Sequence, residues 1–234
     1  MGNKYKVDRI KTGIPGTDQI LNGGIPKNNL VLLAGNCGTG KTTFGMEFLI
    51  EGAKNGEKGV FVSMEESIER LRRNAKIFGW DLEKLEDEEK ILIIKPELYK
   101  YDNLLTDIED AVDSIDAKRL VIDSLTILSS YFKDEFDLRR NLLELSDMFK
   151  RLKCTTMAIS EIEEGSSKLS RFGIEEFAVD GIILLHYKQR KSTYFRGISV
   201  RKMKSSSHSK KIHPLEIGEN GIEVYPGEEI FTEF

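Results

Sequence analysis

The residues best suited to chemistry lie between Gly35 and Thr42, reading GNCGTGKT. Their spacing fits G-x-x-x-x-G-K-[ST], a loop that cradles phosphate. Each position has a physical task. Gly35, Asn36 and Cys37 lead out of a strand. Gly38 and Gly40, on either side of Thr39, then let the backbone curl until successive N–H groups point at phosphate oxygens. The helix expected to open at Lys41 adds the partial positive charge of its N-terminus. Lys41 can reach the β- and γ-phosphates of ATP, Thr42 can offer its hydroxyl to Mg²⁺, and Thr43 completes the nucleotide-binding set. A dinucleotide fingerprint would need glycine where Thr43 stands, so that reading fails.

Two further carboxylate positions complete a phosphoryl-transfer site. RLVIDS (119–124) has the character of a buried strand and ends in Asp123, the expected second Mg²⁺ contact. An aspartate at a strand end can also be a helix cap. The strand GVFVS (59–63) leads into Met64, Glu65 and Glu66. Hydrolysis needs a base that orients water, and Glu65 is the expected one, with Glu66 as its neighbour. The competing role for both is that of acids opening the next helix.

These positions require an α/β scaffold. Short apolar runs at 30–34, 59–63, 91–94, 120–123 and 156–160 alternate with 3.6-period segments at 41–55, 68–78, 102–115 and 134–152. That rhythm predicts a mostly parallel central sheet flanked by helices. After Asp180 it changes to strands without helices (GIILLHY, TYFRGISVRKM, KIHPLEI), expected to extend the sheet as antiparallel strands. No internal repeat or low-complexity linker interrupts the pattern, so residues 1–234 read as one domain.

Composition narrows the function classes. With 39% hydrophobic and 32% charged residues, the chain has globular composition, and no apolar run approaches the ~20 residues of a membrane span. The N-terminal MGNKYK lacks an apolar signal core, and Cys37 and Cys154 cannot make a disulfide framework or a zinc site. The expected location is cytoplasmic. Glutamine occurs only at Gln19 and Gln189 among abundant Lys and Glu, a pattern of heat adaptation. The net charge is −4, yet residues 181–215 hold nine Lys or Arg and no carboxylate, so the remainder stands thirteen below neutrality. Such segregation directs the basic stretch at phosphate or an acidic surface; a solvated strand pair is the plainer account.

Taken together, GIPGTDQILNGGIP, the phosphate loop, VSMEES, FGWDLEKL, LVIDS, SRFGIEEFAVDGIILLHY and KMKSSSH give a chain that resembles the KaiC-type ATPases of the RecA superfamily. The resemblance spans nearly the whole chain as one such domain. It implies a RecA-like P-loop NTPase core, ATP/ADP with Mg²⁺ bound between adjacent subunits, and a homo-oligomer, a hexameric ring. It also implies that a Lys-x-Arg pair on the basic strand reaches the neighbour's γ-phosphate. The matching positions here are Lys202 and Lys204, the second carrying a point charge where the family has a planar fork. Ser207 and His208 follow as in the family. Where the autokinase version carries a Ser-Thr pair, this chain has Glu176 and Phe177, neither with a hydroxyl to phosphorylate. Phe78 and Trp80 are candidates for holding the base.

Two other readings compete with a regulatory ATPase. One is a recombinase-like ATPase using the loop 161–173 and the basic strand on DNA. That loop carries Glu161, Glu163 and Glu164 beside only Lys168 and Arg171, a poor surface for neutralising phosphates. The other is a nucleotide-gated scaffold that binds a protein partner and turns over little.

Overall fold

The computed structural model describes residues 7–97, 101–132, 134–166 and 168–228. The N-terminal MGNKYK and two C-terminal glutamates, Glu229 and Glu233, lie outside them. A small hairpin, β1 (Arg9–Ile10) with β2 (Ile25–Pro26), encloses the short α1 (Thr17–Ile20). Then come β3 (Leu30–Gly35), α2 (Lys41–Lys54), β4 (Gly59–Ser63), α3 (Ile68–Ile77), α4 (Leu82–Asp87) and β5 (Ile91–Ile94). The second half has α5 (Tyr101–Ile115), β6 (Arg119–Asp123), a 3₁₀ turn at Leu125–Ser130, α6 (Glu135–Arg151), β7 (Thr155–Glu161) and the one-turn α7 (Glu175–Ala178). It closes with β8 (Gly181–Arg190), β9 (Thr193–Met203), β10 (His213–Gly218) and β11 (Gly221–Val224).

Strands β3 to β11 form one nine-stranded sheet, in the order β11-β10-β9-β8-β3-β7-β6-β4-β5. From β8 to β5 every neighbour is parallel, and from β8 to β11 every neighbour is antiparallel. The expected architecture is thus the observed one. β3 is central and buried along its length, as its uninterrupted apolar run requires. Its side chains alternate between two cores. Val31 and Leu33 pack with Phe44 and Phe48 of α2, Leu71 of α3 and Leu82 of α4, whereas Leu32 and Ala34 pack with Leu104 of α5 and Leu142 of α6. Helices therefore cover both faces, and each β–α turn opens at the same edge.

Local chemistry sets the helix ends. Ser67 caps α3, accepting from Arg70 N, and Asp134 caps α6, accepting from Asp137 N. Glu65 and Glu66 precede the α3 cap, so neither is a first-turn helix acid. On α6 the expected apolar stripe is present: Leu138, Leu142, Leu145 and Phe149 are buried, with Leu152 packed against the same core. The sequence reading missed α4, β11, α7 and the β1–β2 hairpin. All are short, and α4 follows a separate Asp81 cap.

Candidate active site

The phosphate loop leaves the end of β3 and enters α2, with left-handed φ of 74° at Gly38 and 93° at Gly40. At Gly40 the constraint is double, because a Cβ there would meet Ile217 Cδ1 of β10 at 2.7 Å. Lys41 folds back over its own loop. Its Nζ donates to the carbonyls of Gly35 and Asn36, both at 2.9 Å, and lies 3.9 Å from Glu161 Oε1 at the tip of β7. Burial presses the Lys41 ammonium below its ordinary range, against the pull of Glu161 and Asp123. Thr39, nearly inaccessible, donates to Asn36 O at 2.8 Å and fixes the loop's shape.

The tips of β4, β6 and β7 converge on this loop. Thr42 Oγ1 donates to Asp123 Oδ2 at 2.6 Å, so α2 and β6 are joined by the two expected Mg²⁺ contacts. Burial pushes the Asp123 carboxyl up to about 6, opposed by the Thr42 hydrogen bond and the Lys41 charge. Two hard oxygen donors, one of them a carboxylate, are of the kind that would suit Mg²⁺. From β4, Glu65 Oε1 accepts from Ser124 Oγ at 2.9 Å, next to Asp123. Glu66 turns the other way, to Arg70 Nε at 2.7 Å and Asn74 Nδ2 at 3.1 Å on α3. Both carboxylates line the cradle's cavity, but their partners differ: Glu65 bonds to Ser124 beside Asp123, and Glu66 braces α3.

These groups line a cavity of about 310 Å³. It brings together Cys37, Gly38, Gly40, Lys41, Thr42, Thr43, Glu65, Glu66 and Asp123 with three residues not singled out from sequence: Ser63, Ser124 and Glu161. Ser124 follows a predicted ligand directly, a positional clue. Glu161 looked like part of an acidic loop, and only the β3–β7 pairing carries it to Lys41. A second miss is Arg196 of β9, whose Nε donates to Gly38 O at 3.0 Å while its guanidinium lies 4.7 Å from the Tyr187 ring centroid.

Lys202 and Lys204 are not in this cavity. β9 runs antiparallel to β8, so Lys202 pairs with Ile182 at the far end of the sheet from the loop. Lys202 Nζ donates to Val179 O at 2.6 Å and Glu176 O at 3.0 Å, and Lys204 Nζ to Asp180 Oδ1 at 2.9 Å. Ser207 Oγ accepts from Asn22 and the His208 ring meets Ser209 O, both away from the cradle. Phe78 and Trp80 stack at 4.8 Å and line a smaller pocket of about 190 Å³, which opens beside Thr42 and Thr43.

Fold and site together define a P-loop nucleotide-binding protein of the RecA-like class. The chain belongs to the KaiC ATPase family: the family described as "ATPase: KaiC" matches residues 10–229. It is 37% identical to a UPF0273 protein of Methanopyrus kandleri, over 97% of this chain and 95% of that one. It is 33% identical to the circadian clock protein KaiC3 of Synechocystis sp. over 94% of this chain, which spans 46% of that longer protein. Among solved structures, the crystal structure of KaiC-like protein PH0186 from Pyrococcus horikoshii matches with a TM-score of 0.88 and 44% identity. The match covers 94% of this chain and all of that one. Among the described residues, no helix is long and apolar enough to cross a membrane.

Proposed function

We propose that the protein binds MgATP in the β3–α2 cradle and hydrolyses it, with Glu65 as the base, at contacts between subunits of a ring. The observation that carries this reading is the convergence of Lys41, Thr42, Asp123 and Glu65 in one cavity, each with its partner within hydrogen-bond reach. The backbone of residues 35–40 and the α2 N-terminus receive the β- and γ-phosphates. Thr42 and Asp123 would hold Mg²⁺, which would supply positive charge against those phosphates. Glu65, held by Ser124, accepts the proton of the attacking water. Lys41 exchanges its two carbonyl contacts for phosphate oxygens, a stronger charge-assisted interaction. Lys202 and Lys204 sit at the opposite edge from their own cradle, which suits a contribution to the neighbouring subunit's γ-phosphate in a head-to-tail, hexameric ring. The role is regulatory, with the cycle altering subunit contacts.

Glu65→Gln separates binding from chemistry. The amide keeps size and one acceptor for Ser124 but cannot take a proton. MgATP affinity should stay within a few-fold of the parent while turnover drops ~10²-fold or more. Turnover that survives in Glu65→Gln and disappears in Glu66→Gln would reassign the base.

A further inference from the structure

Glu175, the first residue of α7, is fully buried. A carboxylate is rarely placed there unless it is saturated with donors, and this one is. Oε1 accepts from Ser160 Oγ at 3.0 Å, and Oε2 from Ser170 Oγ at 2.6 Å, Phe172 N at 3.2 Å and Ile174 N at 3.3 Å. Ser170 Oγ also meets the Glu176 carboxylate. The loop after β7 is thus wound around one side chain.

The position of this knot matters more than its strength. Ser160 is the residue before Glu161, whose carboxylate faces Lys41, and Ile162 N donates to Gly35 O at 3.1 Å, the carbonyl that also receives Lys41 Nζ. At its other end the knot fixes α7. The α7 carbonyl of Glu176, together with Val179 O just beyond it, holds Lys202, as a cation commonly satisfies the last carbonyls of a helix. Asp180 follows: its Oδ2 accepts from Leu30 N at the base of β3, and its Oδ1 holds Lys204. A continuous set of bonded groups therefore joins the phosphate loop to both lysines, and Glu175 is buried at its junction together with Ser160 and Ser170.

We propose that Glu175 is a positioning residue. By tying β7 to α7 it sets where a subunit presents Lys202 and Lys204 to the nucleotide of the next subunit. This rests on the trans reading given above. The chemistry favours a rigid mount, because a lysine ammonium is a point charge on a flexible stem, and a displacement near 1 Å costs up to about 10²-fold in rate.

The test uses mixed assemblies. A Lys202→Ala/Lys204→Ala subunit keeps an intact cradle and lends nothing, so it is the acceptor. A Lys41→Ala subunit, with no working cradle, is the lender, and the same lender is also made with Glu175→Ala or Glu175→Gln. ATP turnover and nucleotide affinity of the acceptor sites are read in assemblies of matched composition, with thermal melting of each lender. The plain lender should restore turnover. Adding Glu175→Ala should reduce the restored kcat about tenfold or more with little change in the acceptor's KM. Glu175→Gln should recover most of it, since its oxygen can serve Phe172 N, Ile174 N and Ser170 while its amide donates to Ser160 Oγ. If Glu175→Ala does not fold, Ser160→Ala removes the β7 link alone and should reproduce the loss of kcat. A Glu175→Ala or Ser160→Ala lender that restores as much as the plain lender overturns the positioning role and leaves the trans reading intact. A plain lender that restores nothing in a demonstrated mixed assembly overturns the trans reading, and the proposal falls with it.

Discussion

Glu47 offers a stability test of the scaffold behind the phosphate loop. It lies in the middle of α2, 8% exposed, and both its oxygens accept from Ile222 N of β11, each at 3.2 Å. Gly221 is tight against it, since a Cβ there would meet Glu47 Oε1 at 2.1 Å. Burial pushes the carboxyl from 4.5 to about 8, opposed by the Ile222 N–H and by Lys54. The titratable groups facing it across a cavity of about 370 Å³ are Glu51 and Lys54 of α2 and Glu216, Glu219, Glu223 and Tyr225 from the β10–β11 side. Because the folded value is raised, the neutral acid's stability is complete below pH 4.5. It is lost progressively as pH climbs toward 8 and is constant above that. At about 1.4 kcal/mol per pH unit, the interval from 4.5 to about 8 amounts to roughly 5 kcal/mol. Local relaxation and water penetration around the carboxylate reduce the expected figure to about 2–5 kcal/mol. Glu47→Gln keeps an acceptor for Ile222 N and removes the charge. Urea unfolding followed by circular dichroism should show the variant within about 1 kcal/mol of the parent at pH 5, with an advantage that grows through pH 7 and levels off near pH 8–9. A difference that is the same at every pH, or that grows toward acid, would refute the account of Glu47 as a buried neutral acid.

Asp123 gives a second pH signature. With its carboxyl raised to about 6, a proton competes with Mg²⁺ below that pH, so calorimetric MgATP affinity should fall toward tenfold per unit from pH 6 to 5 and be flat above 7. Asp123→Asn should bind weakly throughout. Arg119 is 1% exposed, bonded to Glu57 Oε2 at 2.6 and 2.8 Å and to the carbonyls of Phe48 and Lys11 at 2.6 and 2.8 Å. Arg119→Met should lower unfolding free energy by about 3–5 kcal/mol in denaturant titrations, and adding Glu57→Gln should recover part of that.

The sheet and its flanking helices were legible because period alone separates a doubly covered strand from an amphipathic helix over this much chain. Leu30–Gly35 has no polar position, as a strand buried on both faces requires, while the 134–152 segment repeats its leucines at helical spacing. The short elements escaped for a physical reason as well. α7 has four residues, too few for a periodic signal, and it exists because Glu175 gathers its donors from residues 160–174. Nothing local in EEFA announces that. Likewise Arg119 reads as the first residue of a strand, and its burial depends on carbonyls 71 and 108 positions away.

The candidate site divides along the same line. Residues within a contiguous motif could be assigned because spacing fixes their geometry: Lys41 and Thr42 follow the loop, and Asp123 ends a strand. Residues brought in by register could not. Glu161 faces Lys41 because β7 pairs with β3 so that Gly35 lies opposite it. Arg196 touches the loop because the β8–β9 pairing sets it opposite Tyr187. The same register governs what the basic strand can do within one subunit. Arg196 stands at Gly38, and Lys202 is six residues further along an antiparallel strand, roughly 20 Å away at 3.3 Å per residue. A lysine side chain spans about a third of that. One end of β9 thus serves its own cradle, and the other has no phosphate within reach unless a second subunit supplies it. The charge segregation that looked like a single basic surface in the sequence is, in the fold, two separate sets of cations at opposite edges of the sheet.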